Sequence, residues 1–306
     1  MKKDPVSTAT TVGSLRLAGA VMTASGTAGH GDELEAYGPL NELGAVVVKS
    51  LSPEPWAGNP APRLKPLADG MLNSVGLQGP GIPEWIARDL PDLRSRGATV
   101  VASIWGRTVE EYAVAGAMLA EADIDAIEVN VSCPNLEDRS TMFAHSPEAT
   151  FAAVSAVGTA HPRWAKLSPN TSLLVDVAQR AADAGATALT LTNTVLGMAI
   201  DIETRRLSLG GGGGGISGPA MHPVAVRSVF EVHKALPTMP LIGVGGVING
   251  VDGIELLMAG ASAIQVGTAS FAEPRAPWRI QHEMSVWMAK HGVSSVEEII
   301  GAAHGT

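Results

Sequence analysis

The sequence predicts an α/β fold, a (β/α)8 barrel with a parallel eight-stranded core and inserted loops at its C-terminal face. Three observations point there. Short β-rich runs alternate with Ala-rich stretches of helical length, the runs number eight, and several are apolar almost throughout. Continuous apolar runs suit parallel strands buried on both faces. Strands are expected at 20–24, 45–48, 99–104, 126–129, 164–166, 188–191, 241–244 and 263–266. Helices are expected at 109–122, 147–159, 172–184, 223–236 and 250–259, each ending near a Gly or Pro that can stop it. A doubly wound sheet is the alternative, but no clear dinucleotide fingerprint follows the first strand. The 306 residues are expected to form one barrel domain, 1–306.

Composition narrows the function classes. Hydrophobic residues make up 45% of the chain, enough for a sizeable core. The net charge of −9 argues against a nucleic-acid surface. A single cysteine excludes an internal disulfide framework and any four-thiolate cluster within this chain. Met1-Lys2-Lys3-Asp4-Pro5 lacks the apolar core of a signal peptide. No stretch approaches the ~20 apolar residues of a membrane span, so a cytoplasmic protein is expected.

Two segments fall outside the strand–helix rhythm. Residues 52–81 carry Pro53, Pro55, Pro60, Pro62, Pro66 and Pro80, and 205–219 contains six consecutive glycines, Gly210 to Gly215. A glycine run reads as a flexible linker or as a mobile loop beside a site.

The expected strand ends carry the chemistry. They read Ala24-Ser25-Gly26, Lys49-Ser50, Ser103, Asn130, Lys166-Leu167-Ser168-Pro169-Asn170, Thr192-Asn193-Thr194, Gly245-Gly246 and Gly267-Thr268. In a barrel these ends converge on one face. Gly245-Gly246 and Gly267-Thr268 follow the seventh and eighth strands, where barrels often bind phosphate; ordinary tight turns are the plainer reading. Lys49 and Lys166 each follow an apolar strand, and a buried ammonium needs an anionic or polar partner. Flavin mononucleotide fits two such lysines plus a phosphate site. Pyridoxal phosphate stays open, with one lysine forming an imine. Cys133, in Asn130-Val131-Ser132-Cys133-Pro134-Asn135, is either a thiol that moves protons or a small buried hydrophobe.

The chain resembles the class 1 dihydroorotate dehydrogenases, and within them the 1B branch. The resemblance rests on Ala24-Ser25-Gly26-Thr27, Val48-Lys49-Ser50, Asn73-Ser74-Val75-Gly76-Leu77-Gln78, the Cys133 hexapeptide, Lys166-Leu167-Ser168-Pro169-Asn170, Asn193-Thr194, Ser217-Gly218-Pro219, Gly245-Gly246 and Val266-Gly267-Thr268. It implies bound FMN and oxidation of (S)-dihydroorotate to orotate in pyrimidine (UMP) synthesis. It implies Cys133 as the general base and Lys49 touching both substrate and flavin. Asn73, Ser74, Val75, Gly76, Leu77, Asn130, Asn135, Asn193 and Thr194 would hold the substrate. Ser25, Lys49, Ser50, Ser103, Asn130, Lys166, Thr192, Gly218, Gly245, Gly246, Gly267 and Thr268 would hold FMN. No metal is implied. A homodimer is expected, and the 1B pattern adds a partner subunit carrying FAD and an iron–sulfur cluster that passes electrons to NAD; the 1A pattern uses fumarate instead. The chain departs from the family pattern at Gly79, where an Asn often stands, at Trp105, where small residues are usual, and in the length of its glycine run. Two other readings are an FMN-holding electron-transfer or scaffold subunit, and a flavin reductase of a related pyrimidine.

Overall fold

A computed structural model describes residues 6–132 and 142–305. Its centre is an eight-stranded sheet of β1 (Val21–Thr23), β2 (Val46–Val47), β3 (Val100–Ile104), β4 (Ala126–Asn130), β5 (Arg163–Leu167), β6 (Ala188–Leu191), β7 (Leu241–Val244) and β8 (Ala263–Val266). The strands are ordered β1-β8-β7-β6-β5-β4-β3-β2, and every neighbouring pair is parallel. All eight lie where the apolar runs place them. Around the sheet run α1 (Ile82–Ser95), α2 (Val109–Leu119), α3 (Pro147–Ala156), α4 (Leu174–Asp183), α5 (His222–Ala235), α6 (Gly250–Met258), the short α7 (Ala269–Ala272) and α8 (Ala276–His291).

Helices α1 and α8 are additions to the sequence expectation. Each carries a proline in its first turn, which costs nothing because the first amides of a helix have no internal acceptor. Pro91, inside α1, further disguises that helix.

Side-chain alternation sorts the barrel strands. Val46, Val100, Ala102, Ile127, Val129, Ala165, Leu189, Leu241 and Ile264 face outward and pack against the helices. Met22, Val47, Val101, Ala126, Trp164, Ala188, Ile242 and Ala263 fill the interior. An antiparallel hairpin, Thr10–Val12 with Leu15–Leu17, plugs the bottom with Val12 and Leu17. One pleat higher on the inward face, the layer turns polar: Ser103, Glu128, Lys166, Thr190 and Gln265, all buried.

The seam between β1 and β2 has no regular ladder. Two backbone bonds cross it, Gly44 N–H to Val21 O at 2.8 Å and Thr23 N–H to Ala45 O at 3.2 Å. The Thr23 hydroxyl supplies the rest, accepting from Val47 N–H at 2.9 Å and donating to Val47 O at 3.2 Å. A side chain thus stands in for a missing rung and satisfies both buried backbone groups of Val47.

The two irregular segments meet. In the first, Leu64–Leu67 pairs with Gly70–Asn73; that strand pairs with Gly214–Ser217 from the second, which pairs in turn with Val195–Gly197, forming a four-stranded antiparallel sheet. The glycine run is therefore not an unpaired linker. A Cβ on Gly214 would stand 2.2 Å from Asn73 O, and one on Gly215 would stand 2.0 Å from Thr194 Oγ1. Close backbone approach, rather than chain flexibility, accounts for glycine at these positions.

Replacing Thr23 by Val keeps the shape and removes the hydroxyl. The Val47 amide then has no acceptor, and stability is expected to fall by about 1–3 kcal/mol in a denaturant titration. An unchanged midpoint would show that the seam does not depend on this side chain.

Candidate active site

The C-terminal ends of the barrel strands and the antiparallel sheet enclose a cavity of ≈ 580 Å³. That size suits a cofactor with a small substrate. Of the residues expected at the site, Ser25, Lys49, Ser50, Asn73, Ser74, Val75, Gly76, Leu77, Asn130, Lys166, Thr192, Asn193, Thr194, Gly218, Gly245, Gly246, Gly267 and Thr268 line it. Ser103 does not: it is fully buried behind Ser50, with the two hydroxyls 2.9 Å apart. Cys133 and Asn135 lie outside the described residues.

The floor is a hydrogen-bonded chain. Ser25 Oγ is 3.1 Å from Ser50 Oγ, which in turn meets Ser103 Oγ. Asn130 Nδ2 donates to Ser50 Oγ at 3.3 Å, and Asn193 Nδ2 donates to Asn130 Oδ1 at 3.2 Å. Tyr112 on α2 donates its hydroxyl to the Asn130 carbonyl at 2.7 Å and fixes the end of β4 from outside. The Asn130 oxygen also accepts from Ser132 N–H at 3.2 Å and the Asn193 oxygen from Thr194 N–H at 2.7 Å, so each amide keeps one N–H for a planar polar ligand.

Below this chain sits Glu128, fully buried. Ser103 donates to it at 3.1 Å, Gln265 donates to it at 2.9 Å, and the Lys166 ammonium stands 3.6 Å away. Sequence reasoning missed Glu128 because it occupies a mid-strand position; only the i, i+2 relation to Asn130 hints that it points inward. Lys49 differs from Lys166. Among the described residues its ammonium has no hydrogen bond or ion pair. Burial pushes its pKa down, and the Arg63 charge adds to that shift. Burial also holds the neighbouring His30 below its ordinary value, with the Lys49 charge acting the same way.

At the β7 and β8 ends, the backbone leaves room for an anion. Gly246 has φ +69°, and a Cβ there would stand 2.6 Å from His222 Cβ. Among the described residues the N–H groups of Gly246 and Thr268 have no acceptor, so both remain available to a ligand. Thr192 Oγ1 is buried in the same wall without a partner among those residues. Donors without internal acceptors suit a phosphate better than an ordinary turn does.

The antiparallel sheet forms the opposite wall. Asn73 Nδ2 donates to Gly215 O at 3.1 Å, and among the described residues nothing donates to its Oδ1. Asn59, absent from the sequence expectation, donates to Ser74 Oγ at 2.9 Å and braces this loop. Trp56 donates to Gly76 O at 3.0 Å, packs edge-on against Trp105 at 5.8 Å and lies under the Arg107 guanidinium at 4.7 Å. Trp105 therefore belongs to an aromatic brace at the cavity edge. Gly79 does not line the cavity; it pairs with Trp56 through two backbone bonds of 3.0 Å.

A family model described as dihydroorotate dehydrogenase matches residues 7–288. The chain belongs to the dihydroorotate dehydrogenase family. Among its relatives are proteins named dihydroorotate dehydrogenase B (NAD(+)), catalytic subunit. One from Geobacter metallireducens is 44% identical over 294 residues, covering 95% of this chain and 96% of the relative. Another, from Geobacter sp. strain M21, is 46% identical with the same coverage. A third, from Trichlorobacter lovleyi, is 44% identical over 297 residues, covering 96% of this chain and 97% of the relative. Similarity runs through the whole barrel of this dihydroorotate dehydrogenase family member, and so includes the strand ends that line its cavity.

Lys49 supplies a test in the flavin-free protein. Its pKa is lowered on folding, so the unfolded state binds the proton more tightly and stability rises with pH up to the ordinary lysine value of 10.5. Lys49→Met is expected to raise the melting temperature by about 2 °C at neutral pH. That advantage should shrink as the pH approaches 10.5. A lower melting temperature at pH 7 would mean that the ammonium has a stabilising partner.

Proposed function

We propose that this chain is the catalytic, FMN-binding subunit of a class 1B enzyme that oxidises (S)-dihydroorotate to orotate in pyrimidine synthesis. The observation that carries the proposal is the single cavity on which backbone donors without an acceptor among the described residues, two lysines and a set of amides all converge. The family is flavin-dependent in general. The residues present fit FMN: the N–H groups of Gly246 and Thr268 and the Thr192 hydroxyl offer donors for its phosphate, with Gly218, Gly245 and Gly267 leaving room for it. Lys166 offers a fixed positive charge for the ring, and Ser25 and Ser50 offer hydroxyls along it. Ser103 acts indirectly, by orienting Ser50.

Oxidation removes a hydride from one ring carbon of dihydroorotate and a proton from its neighbour, which is α to a carbonyl. FMN, when bound, supplies the hydride acceptor. The chain must hold the substrate, shield it from water and take the proton. Asn73, Asn130 and Asn193 offer the mixed donor and acceptor edge that matches the amide edge of a pyrimidine. The backbone of Ser74 to Leu77 completes that wall, and Thr194 and Asn135 are assigned to the substrate as well. Lys49 supplies charge for the substrate carboxylate; its ammonium has no ion-pair partner among the described residues and is suited to that anion. Cys133 is assigned the proton, because a thiol with an ordinary pKa of about 8.5 needs only modest tuning to serve as a base near neutrality.

The relatives are catalytic subunits by name, which supports a partner subunit for this chain as well. With one cysteine, the chain cannot itself ligate an iron–sulfur cluster by four thiolates, so a cluster and FAD belong on that partner, with NAD as final acceptor. We assign the chain one domain, a homodimeric core and the cytoplasm; no helix among the described residues is long and apolar enough to cross a membrane.

Anaerobic addition of dihydroorotate to the purified protein is expected to bleach the flavin band with orotate formed in proportion. Bleaching by dithionite but not by dihydroorotate would favour a flavin-holding scaffold or a reductase of another pyrimidine. Cys133→Ala should keep the flavin and lose roughly 100-fold or more in turnover near pH 7. Undiminished turnover would remove the base assignment.

A further inference from the structure

Building on the flavin reading, we propose that Glu128 is a positioning residue that sets the redox balance of the bound flavin by acting through Lys166. Glu128 cannot touch a ligand, because it is fully buried and does not line the cavity. Lys166 does line the cavity and is only 5% exposed. Its ammonium stands 3.6 Å from Glu128 Oε1. Ser103 of β3 donates to the same oxygen at 3.1 Å, and Gln265 of β8 donates to Oε2 at 2.9 Å. One carboxylate on β4 therefore fixes a lysine on β5 while held from β3 and β8.

Stability alone gives no reason for this arrangement. The layer immediately below is wholly apolar, and a buried ion pair is often matched or bettered by apolar packing of similar volume. Electrostatics gives one. Hydride transfer adds negative charge to the flavin ring, and a cation at the strand end favours that charge. A carboxylate beside the cation opposes it, because Coulomb terms are only weakly screened in a buried layer. The two residues thus act in opposite senses: Lys166 favours the reduced flavin and Glu128 restrains it. Ser103 and Gln265 keep the carboxylate in place, and Lys166 cannot swing away from its counter-charge without leaving it unpaired.

The test is the midpoint potential of the bound flavin, titrated with dithionite against a reference dye, which needs no dihydroorotate. Glu128→Gln is expected to shift the balance about tenfold toward the reduced form, a rise of about 30 mV for a two-electron couple. Lys166→Met should shift it about tenfold the other way. The double variant, whose layer is neutral, should lie well above Lys166→Met. This last comparison stands even if Glu128→Gln alone loses its flavin. Shifts of the same sign in both single variants, or a double variant equal to Lys166→Met, would overturn the proposal. Failure of dihydroorotate to reduce the wild-type flavin would count against the substrate reading while leaving these potentials interpretable; wild-type protein that holds no flavin would overturn both.

Discussion

Ala126, Glu128 and Asn130 stand on one face of one strand, and their order states the constraint on which the molecule depends. Side chains of a barrel strand alternate between the helices and the interior, so the interior is built as layers set by every second residue. The lower layer is apolar and closes the core. The next holds a carboxylate, a lysine, a glutamine and two hydroxyl residues, with Ser103 and Gln265 donating directly to the carboxylate. The uppermost layer presents amides and hydroxyls to a ligand. Moving any of these strands by one residue would exchange core and site faces together. The site is thus not grafted onto a finished core; it is the top of the same stack.

The barrel was legible because its strands are short, buried on both faces and rich in β-branched residues, as at Val46-Val47, Val100-Val101 and Leu241-Ile242. The strand-end residues were legible for the same reason, since a lysine or asparagine after an apolar run is conspicuous. Other features had no such signal. Gly214 to Ser217 carries two glycines and pairs with a segment far away in the chain, so no local pattern marks it as a strand. The prolines of 52–81 suggested an irregular excursion, although Pro66 lies on an edge strand where a missing N–H is tolerated. The family resemblance implies that Ser103 holds the cofactor. In the structure the pleat continues past it, and Ser50 stands between it and the cavity.

Electrostatics divides the two lysines that looked alike in sequence. Lys166 has a buried counter-charge beside it and belongs to the barrel interior. Lys49 has none among the described residues, and burial together with Arg63 makes its charge unfavourable. A lysine left in this state is suited to bind an anion, because a ligand can supply what the protein withholds. Burial of this ammonium is a local cost to the folded protein.

The bond from Asn73 to Gly215 joins residues 142 positions apart. It spans the connection after β2 and the connection after β6, so one wall of the cavity has two authors within the chain. In evolutionary terms these loops are not separate modules. A side chain added at Gly214 or Gly215 would strike Asn73 or Thr194, and a longer turn near Asn73 would move the strand that Gly215 borders. A change of side chain in such a wall is therefore constrained by both loops at once.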